Sequence, residues 1–215
     1  MEESTAREKV LKRIRNALIS RTEMPFPEVD TDVPVYHFPQ ESLDVIFAQE
    51  FTRVGGMYVF CENEKELVSS LSVILEDFPE QELFCQEETI GEYLVKAGIP
   101  FCSGQEDLTG SKIGITGCDA MVARTGSILL TSAQTGGRRI GIFPDAHIVI
   151  GFSSQLLADL QHALQYIKRK YEPGYPSMLS FITGPSRTAD IEKTLVMGAH
   201  GPRNLYLFYV DHSGY

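Results

Sequence analysis

The chain has no tryptophan, no Cys-x-x-Cys pair and no apolar run near the ~18 residues that a membrane-crossing helix needs. Its first residues, MEESTAREKVLKRIRNAL, are charged throughout and lack the apolar segment of a secretory signal, so a cytoplasmic protein is expected. Basic charge is scarce: 19 Lys and Arg stand against 29 Asp and Glu, a net charge of −10. That balance excludes broad phosphate-backbone binding, and with it nucleic acid as the expected partner. The four cysteines, Cys61, Cys85, Cys102 and Cys118, are widely spaced and have no neighbouring histidine. Spacing gives no metal motif, and reduced, buried thiols are the simpler reading. No GxGxxG, Walker or kinase loop is present, and no Ser/His/Asp triad can be ordered along the chain.

What is there suits one domain with an extension: 215 residues, 43% of them hydrophobic, can bury a sizeable core. The extension is residues 1–40. Thr5-Ala-Arg-Glu8 reads as a capping box opening a helix with Val10, Leu11, Ile14, Ala17 and Leu18 on one face. Pro25, Pro27, Pro34 and Pro39 then predict an extended arm. Residues 41–215 form the main domain. Leu43, Ile46, Phe47 and Phe51 suit a helix ending at Gly55-Gly56, followed by a strand at Met57 to Cys61. Asn63 caps a second helix, Leu83 to Cys85 is a strand, and Ile90 to Ala97 a helix. This alternation predicts an α/β fold, an open and mostly parallel sheet with helices on both faces. Further strands are expected at Lys112 to Ile115, Ser127 to Leu130, Ile140 to Phe143, His147 to Ile150, Met178 to Ile182 and Leu205 to Val210. Helices are expected at Ser153 to Lys170 and Arg187 to Met197, and hairpins between 115 and 151 make the sheet mixed.

Two polar stretches concentrate the candidate chemistry. Thr183-Gly184-Pro-Ser186 lies between a strand and an expected helix, where free N–H groups and the helix dipole suit a phosphate or carboxylate. Arg187 would add a bidentate contact, Ser186 a hydroxyl, with Asp190 in the same segment. The alternative is a plain cap, with Ser186 as N-cap, Arg187 solvated and Asp190 bonding the local backbone. In the turn Arg124-Thr125-Gly126-Ser127, Gly126 permits positive φ or close approach of a ligand, and Arg124 either clamps an anion or stands in solvent. Thr135-Gly-Gly-Arg-Arg139 is a surface turn or a basic flap over an acidic ligand. His147 can titrate near neutral pH, but no ligand spacing accompanies it and no metal site is expected. Asp119, after Gly117, reads as a turn residue. His200, in the last loop, is a candidate general base beside His147. In a purely parallel sheet it would lie at the opposite edge from Ser186; the two meet only if a strand runs antiparallel or a second subunit contributes.

The strings ITGPSRTADIEKTLVMGAHGP, DAMVARTGSILL and FPDAHIVIG resemble the LUD domain of lactate-utilisation protein C. The resemblance covers roughly Phe38 to Val210, with the N-terminal helix also typical of the family. It implies a fold similar to glucosamine-6-phosphate deaminase, ribose-5-phosphate isomerase and coenzyme A transferases. It also implies work beside iron–sulfur partner proteins that oxidise L-lactate to pyruvate, with no cofactor held by this chain. One position departs: the family's turn usually reads A-E-T-G or A-D-T-G, and here it is Ala123-Arg-Thr-Gly126. Any acid–base role of that carboxylate does not carry over to Arg124. Three readings follow: a component of a lactate-oxidising complex, a stand-alone enzyme on a small phosphorylated, carboxylated or CoA-linked metabolite, and an anion-sensing module. A homo-oligomer is compatible with each.

Overall fold

The computed structural model describes residues 5–19, 26, 28, 40–76, 82–104, 111–134, 139–191, 194–197 and 201–211, with 188–191 and 194–197 described for their backbone alone. The chain divides into two compact units, Met1–His37 and Phe38–Tyr215.

In the first unit, α1 runs over Ala6–Ile19. The capping box forms as expected: the Thr5 N–H donates to Glu8 Oε2 at 2.9 Å, and the Glu8 N–H to Thr5 Oγ1 at 3.4 Å. The proline-rich arm lies outside the described residues apart from Phe26, Glu28 and Gln40.

The second unit is built on α2 (Leu43–Arg53), β1 (Met57–Cys61), α3 (Glu64–Leu75), β2 (Leu83–Phe84), α4 (Glu88–Lys96) and β3 (Ile113–Thr116). It continues through β4 (Ala120–Val122), β5 (Ser127–Thr131), β6 (Ala146–Phe152), β7 (Leu156–Leu157), α5 (Leu160–Lys170), β8 (Leu179–Ile182), β9 (Arg187–Ile191), β10 (Thr194–Met197) and β11 (Asn204–Val210). The α/β expectation holds. Five strands in the order β1-β11-β6-β3-β2 form a sheet in which every pairing is parallel. A second, mixed sheet runs β7-β4-β5-β8, and β9 and β10 form a separate hairpin.

Strand alternation decides which residue faces which layer. Ile148 and Ile150 of β6, with Phe208 and Val210 of β11, turn to Leu67, Leu71 and Leu75 of α3 and Ile90 and Leu94 of α4. Their neighbours Val149, Leu207 and Tyr209 turn the other way, against Phe47 and Phe51 of α2 and against Met121, Ile128 and Leu130 of the second sheet. The far side of that sheet, Ala120, Val122 and Leu129, is covered by Ala163 and Ile167 of α5. Both faces of β4 and β5 are thus buried, which accounts for their unbroken apolar runs.

Three expected elements differ. The helix expected over Ser153 to Lys170 begins only at Leu160, capped by Asp159; before it, Leu156 and Leu157 pair with Met121 and Val122 as a short strand. Leu160, Ala163 and Ile167 still face inward, whereas Leu164 is exposed. Ile140 to Phe143 is turn rather than strand, with the Ile142 and Phe143 N–H groups both donating to the Arg139 carbonyl. Most consequentially, the helix expected at Arg187 to Met197 is the β9–β10 hairpin, Met197 opposite Arg187 and Val196 opposite Thr188. Thr188, Ile191, Thr194 and Val196 are β-branched, which favours the pleated backbone over a helix.

Candidate functional site

His147 is the second residue of β6, on the face opposite Ile148, and it is fully buried. Its Nε2 lies 2.9 Å from Thr116 Oγ1, and its Nδ1 is buried with no hydrogen-bond partner among the described residues. Either tautomer leaves one ring nitrogen unsatisfied, as an acceptor or as a donor. Burial pushes its pKa down from 6.5 to about 4, so the ring is neutral at physiological pH.

This histidine lines a cavity of about 230 Å³ with Thr183, Gly184, Ser186, Gly201 and Leu205. Because His147 and Leu205 pair near the starts of β6 and β11, the cavity sits at the amino edge of the parallel sheet. The loop after β8 and the loop before β11 meet there. The Ser186 N–H donates to the Pro202 carbonyl at 2.9 Å, and a Cβ at Gly201 would lie 3.3 Å from Ser186 Oγ. The strand before the first loop, β8, runs antiparallel to β5 in the second sheet, and an antiparallel strand was one of the two conditions set for Ser186 and the last loop to meet. His200 itself lies outside the described residues, as do the side chain of Asp190 and residues 135–138 of the expected flap.

The turn at 124–127 joins the wall of this cavity through hydroxyls. Ser127 Oγ donates to Thr125 Oγ1 at 2.8 Å and lies 2.7 Å from Thr183 Oγ1. Gly126 has the expected positive φ, 56°, but what approaches it is α2: a Cβ there would lie 2.3 Å from the Phe51 nitrogen. Gly184, φ 79°, meets α2 likewise, with a Cβ falling 2.3 Å from the Val54 carbonyl oxygen.

The arginines are engaged elsewhere. Arg124 is half-buried and donates from Nη2 to Asp159 Oδ1 at 2.9 Å; this bond, against burial, lowers the Asp159 pKa. Asp159 also accepts from the Leu160 N–H, so Arg124 is tied to the cap of α5. Arg187 is exposed and donates to the Val54 carbonyl at 2.7 Å. With β9 in place of a helix, Thr183 to Ser186 has no helix N-terminus behind it. Among the described residues no group of three or more His, Cys, Asp or Glu is placed to hold a metal ion.

A second polar cluster is absent from the sequence reading. Asp119, read as a turn residue, is 1% exposed and accepts at Oδ1 from Lys170 Nζ at 2.8 Å and from Tyr171 OH at 2.7 Å.

Acid titration reports on His147. The unfolded chain takes up a proton below about 6.5 and the folded chain refuses it until about 4. Stability therefore falls as pH drops through that window and levels off below it. We expect wild-type protein to lose about 3 kcal/mol more than a His147→Gln variant between those limits, measured by urea unfolding across pH. Equal slopes would show that the imidazole is not held neutral.

The LUD domain family matches residues 46–210, well over half of the chain. "Lactate utilization protein C" of Geobacillus sp. (strain WCH70) is 39% identical over 104 residues, 47% of this chain and 43% of that protein. The protein of the same name from Shouchella clausii (strain KSM-K16) is 38% identical over 100 residues, 46% of this chain and 44% of that one. The matched stretch is thus less than half of either relative's length. A crystal structure of a DUF162 family protein from Deinococcus radiodurans superposes with a TM-score of 0.61 at 21% identity, over 79% of this chain and 99% of that one, and shares the fold. No helix among the described residues is long and apolar enough to cross a membrane. This chain belongs to the LUD domain family.

Proposed function

We propose that this chain is the LUD component of a cytoplasmic lactate-utilisation system, in which L-lactate is oxidised to pyruvate and the electrons pass to iron–sulfur partner proteins. The observation that carries this reading is the similarity to two proteins named for lactate utilisation.

In this reading the amino-edge cavity takes a small anion. Thr183 and Ser186 would offer hydroxyls, and His147, as its Nδ1–H tautomer, the unsatisfied donor. Among the described residues the polar side chains lining the cavity are neutral ones, and Arg124 and Arg187 are not among its lining. Tagged full-length protein captured from its native cell should bring down iron–sulfur proteins and should not oxidise lactate when isolated. Turnover of lactate by the pure chain would overturn the component reading. For the cavity, L-lactate and inorganic phosphate should be tested by thermal shift on wild type and on Ser186→Leu, which fills the space. A shift retained in the variant would remove the cavity from the proposal.

A further inference from the structure

The carboxyl edge of the parallel sheet is where ligands of open α/β folds bind, and the cavity of His147 is at the other edge. Glu87 stands three residues past the end of β2, Gly117 to Asp119 follow β3, and Ser153 to Gln155 follow β6. Glu87 is at the N-cap position of α4, yet its side chain makes no cap hydrogen bond. It reaches instead to the Gly117 N–H, 3.2 Å from Oε1. The opposing groups are Asp119, Lys170, the Gln134 amide and the Cys85 and Cys118 thiols. Tyr171, bonded to Asp119, completes the set. The cluster is one donor short: Asp119 Oδ2 is buried with no partner among the described residues. Lys170, by contrast, is 38% exposed, and of its three N–H bonds one goes to Asp119.

We infer that this edge holds a second site, where Lys170 binds the carboxylate of a small hydroxy or oxo acid and Glu87 takes up a proton as the ligand binds. A hydroxyl on the ligand, or a water it retains, would supply the donor that Asp119 Oδ2 lacks. The charges suit this use. Burial, helped by Asp119, holds the Glu87 carboxyl up at about 7 against the pull of the Gly117 N–H, Gln134 and Lys170. Burial opposes the charge on Lys170, but Asp119 wins and raises its pKa, so it stays cationic. Burial also raises both thiols and Tyr171, leaving them neutral. Protonated Glu87 makes the trio with Asp119 and Lys170 neutral, and ionised Glu87 makes it anionic. An arriving carboxylate therefore draws a proton from solvent onto Glu87. The class of acid rests on the lactate reading, and the site itself on donors, acceptors and charge.

The test is calorimetric titration of the full chain with L-lactate, D-glycerate and pyruvate from about pH 8 to about pH 6, a window centred on Glu87. Affinity should rise as pH falls in wild type and be flat in Glu87→Gln. Lys170→Gln keeps a donor for Asp119 but loses the charge, and should weaken binding roughly ten-fold. Carboxyl carbon NMR of wild type should show Glu87 titrating near neutrality, and moving upward with the bound acid. No binding by any probe, binding indifferent to Lys170→Gln, or a Glu87 titration unmoved by ligand overturns the site. Failure of L-lactate alone, with glycerate or pyruvate still bound, sinks the lactate assignment and leaves this site standing.

Discussion

Gly126→Ala is expected to cost about 4 kcal/mol of stability, the sum of a left-handed backbone and a clash that nothing flexible can relieve. The added methyl would fall 2.3 Å from the Phe51 nitrogen and 2.5 Å from the Glu50 carbonyl carbon, both main-chain atoms of α2. Either the helix or the 124–127 turn must move, and each is backed by core. Phe51 is fully buried, as are Ile128 and Leu130 beyond the turn. Urea unfolding of the variant checks this directly. A loss under about 1 kcal/mol would mean that α2 is not seated on Gly126 in solution.

Lys170→Met should be the next most damaging change described here, at about 3 kcal/mol. Asp119 would keep the Tyr171 hydroxyl but lose its cation while remaining 1% exposed. The cost lies at the lower end for a broken buried pair because Lys170 is itself 38% exposed and partly screened. The double replacement Asp119→Asn with Lys170→Met should regain much of the loss, since it removes the stranded charge. Equal stability of the single and double variants would show that Asp119 is not an uncompensated anion.

The elements legible in the sequence are those whose cause is local. The Thr5 box and the Asn63 cap, whose Oδ1 accepts from the Lys65 and Glu66 N–H groups, are fixed by residues within one turn. The strands β1, β6 and β11 show as short apolar runs bounded by turns. The β9–β10 hairpin was missed although its β-branched residues are local, and the rest of what failed outside the 140–143 turn depends on partners far along the chain. Leu156 and Leu157 fit a helical stripe, and only β4 beside them makes them a strand. Gly126 was visible as a place of close approach, but nothing nearby names α2 as what approaches it and Gly184. Asp119 meets Lys170 and Tyr171 across 51 and 52 positions, and Glu87 meets Gly117 across 30. No spacing motif reports a contact of that kind. For the same reason the amino-edge cavity was half legible: its loops could be listed, but their meeting awaited the direction of β8.

The last turn of α2 is seated twice, on Gly126 of one loop and on Gly184 of another, with Arg187 bonded to its Val54 carbonyl. Helical residues step by about 100° around the axis. Adding or removing one residue between Phe51 and Gly55 would therefore turn Val54 away from Gly184 while Phe51 stays on Gly126, and pull Thr183 off Ser127. That stretch can drift in composition but not in length, which makes it a gauge for the whole amino-edge wall.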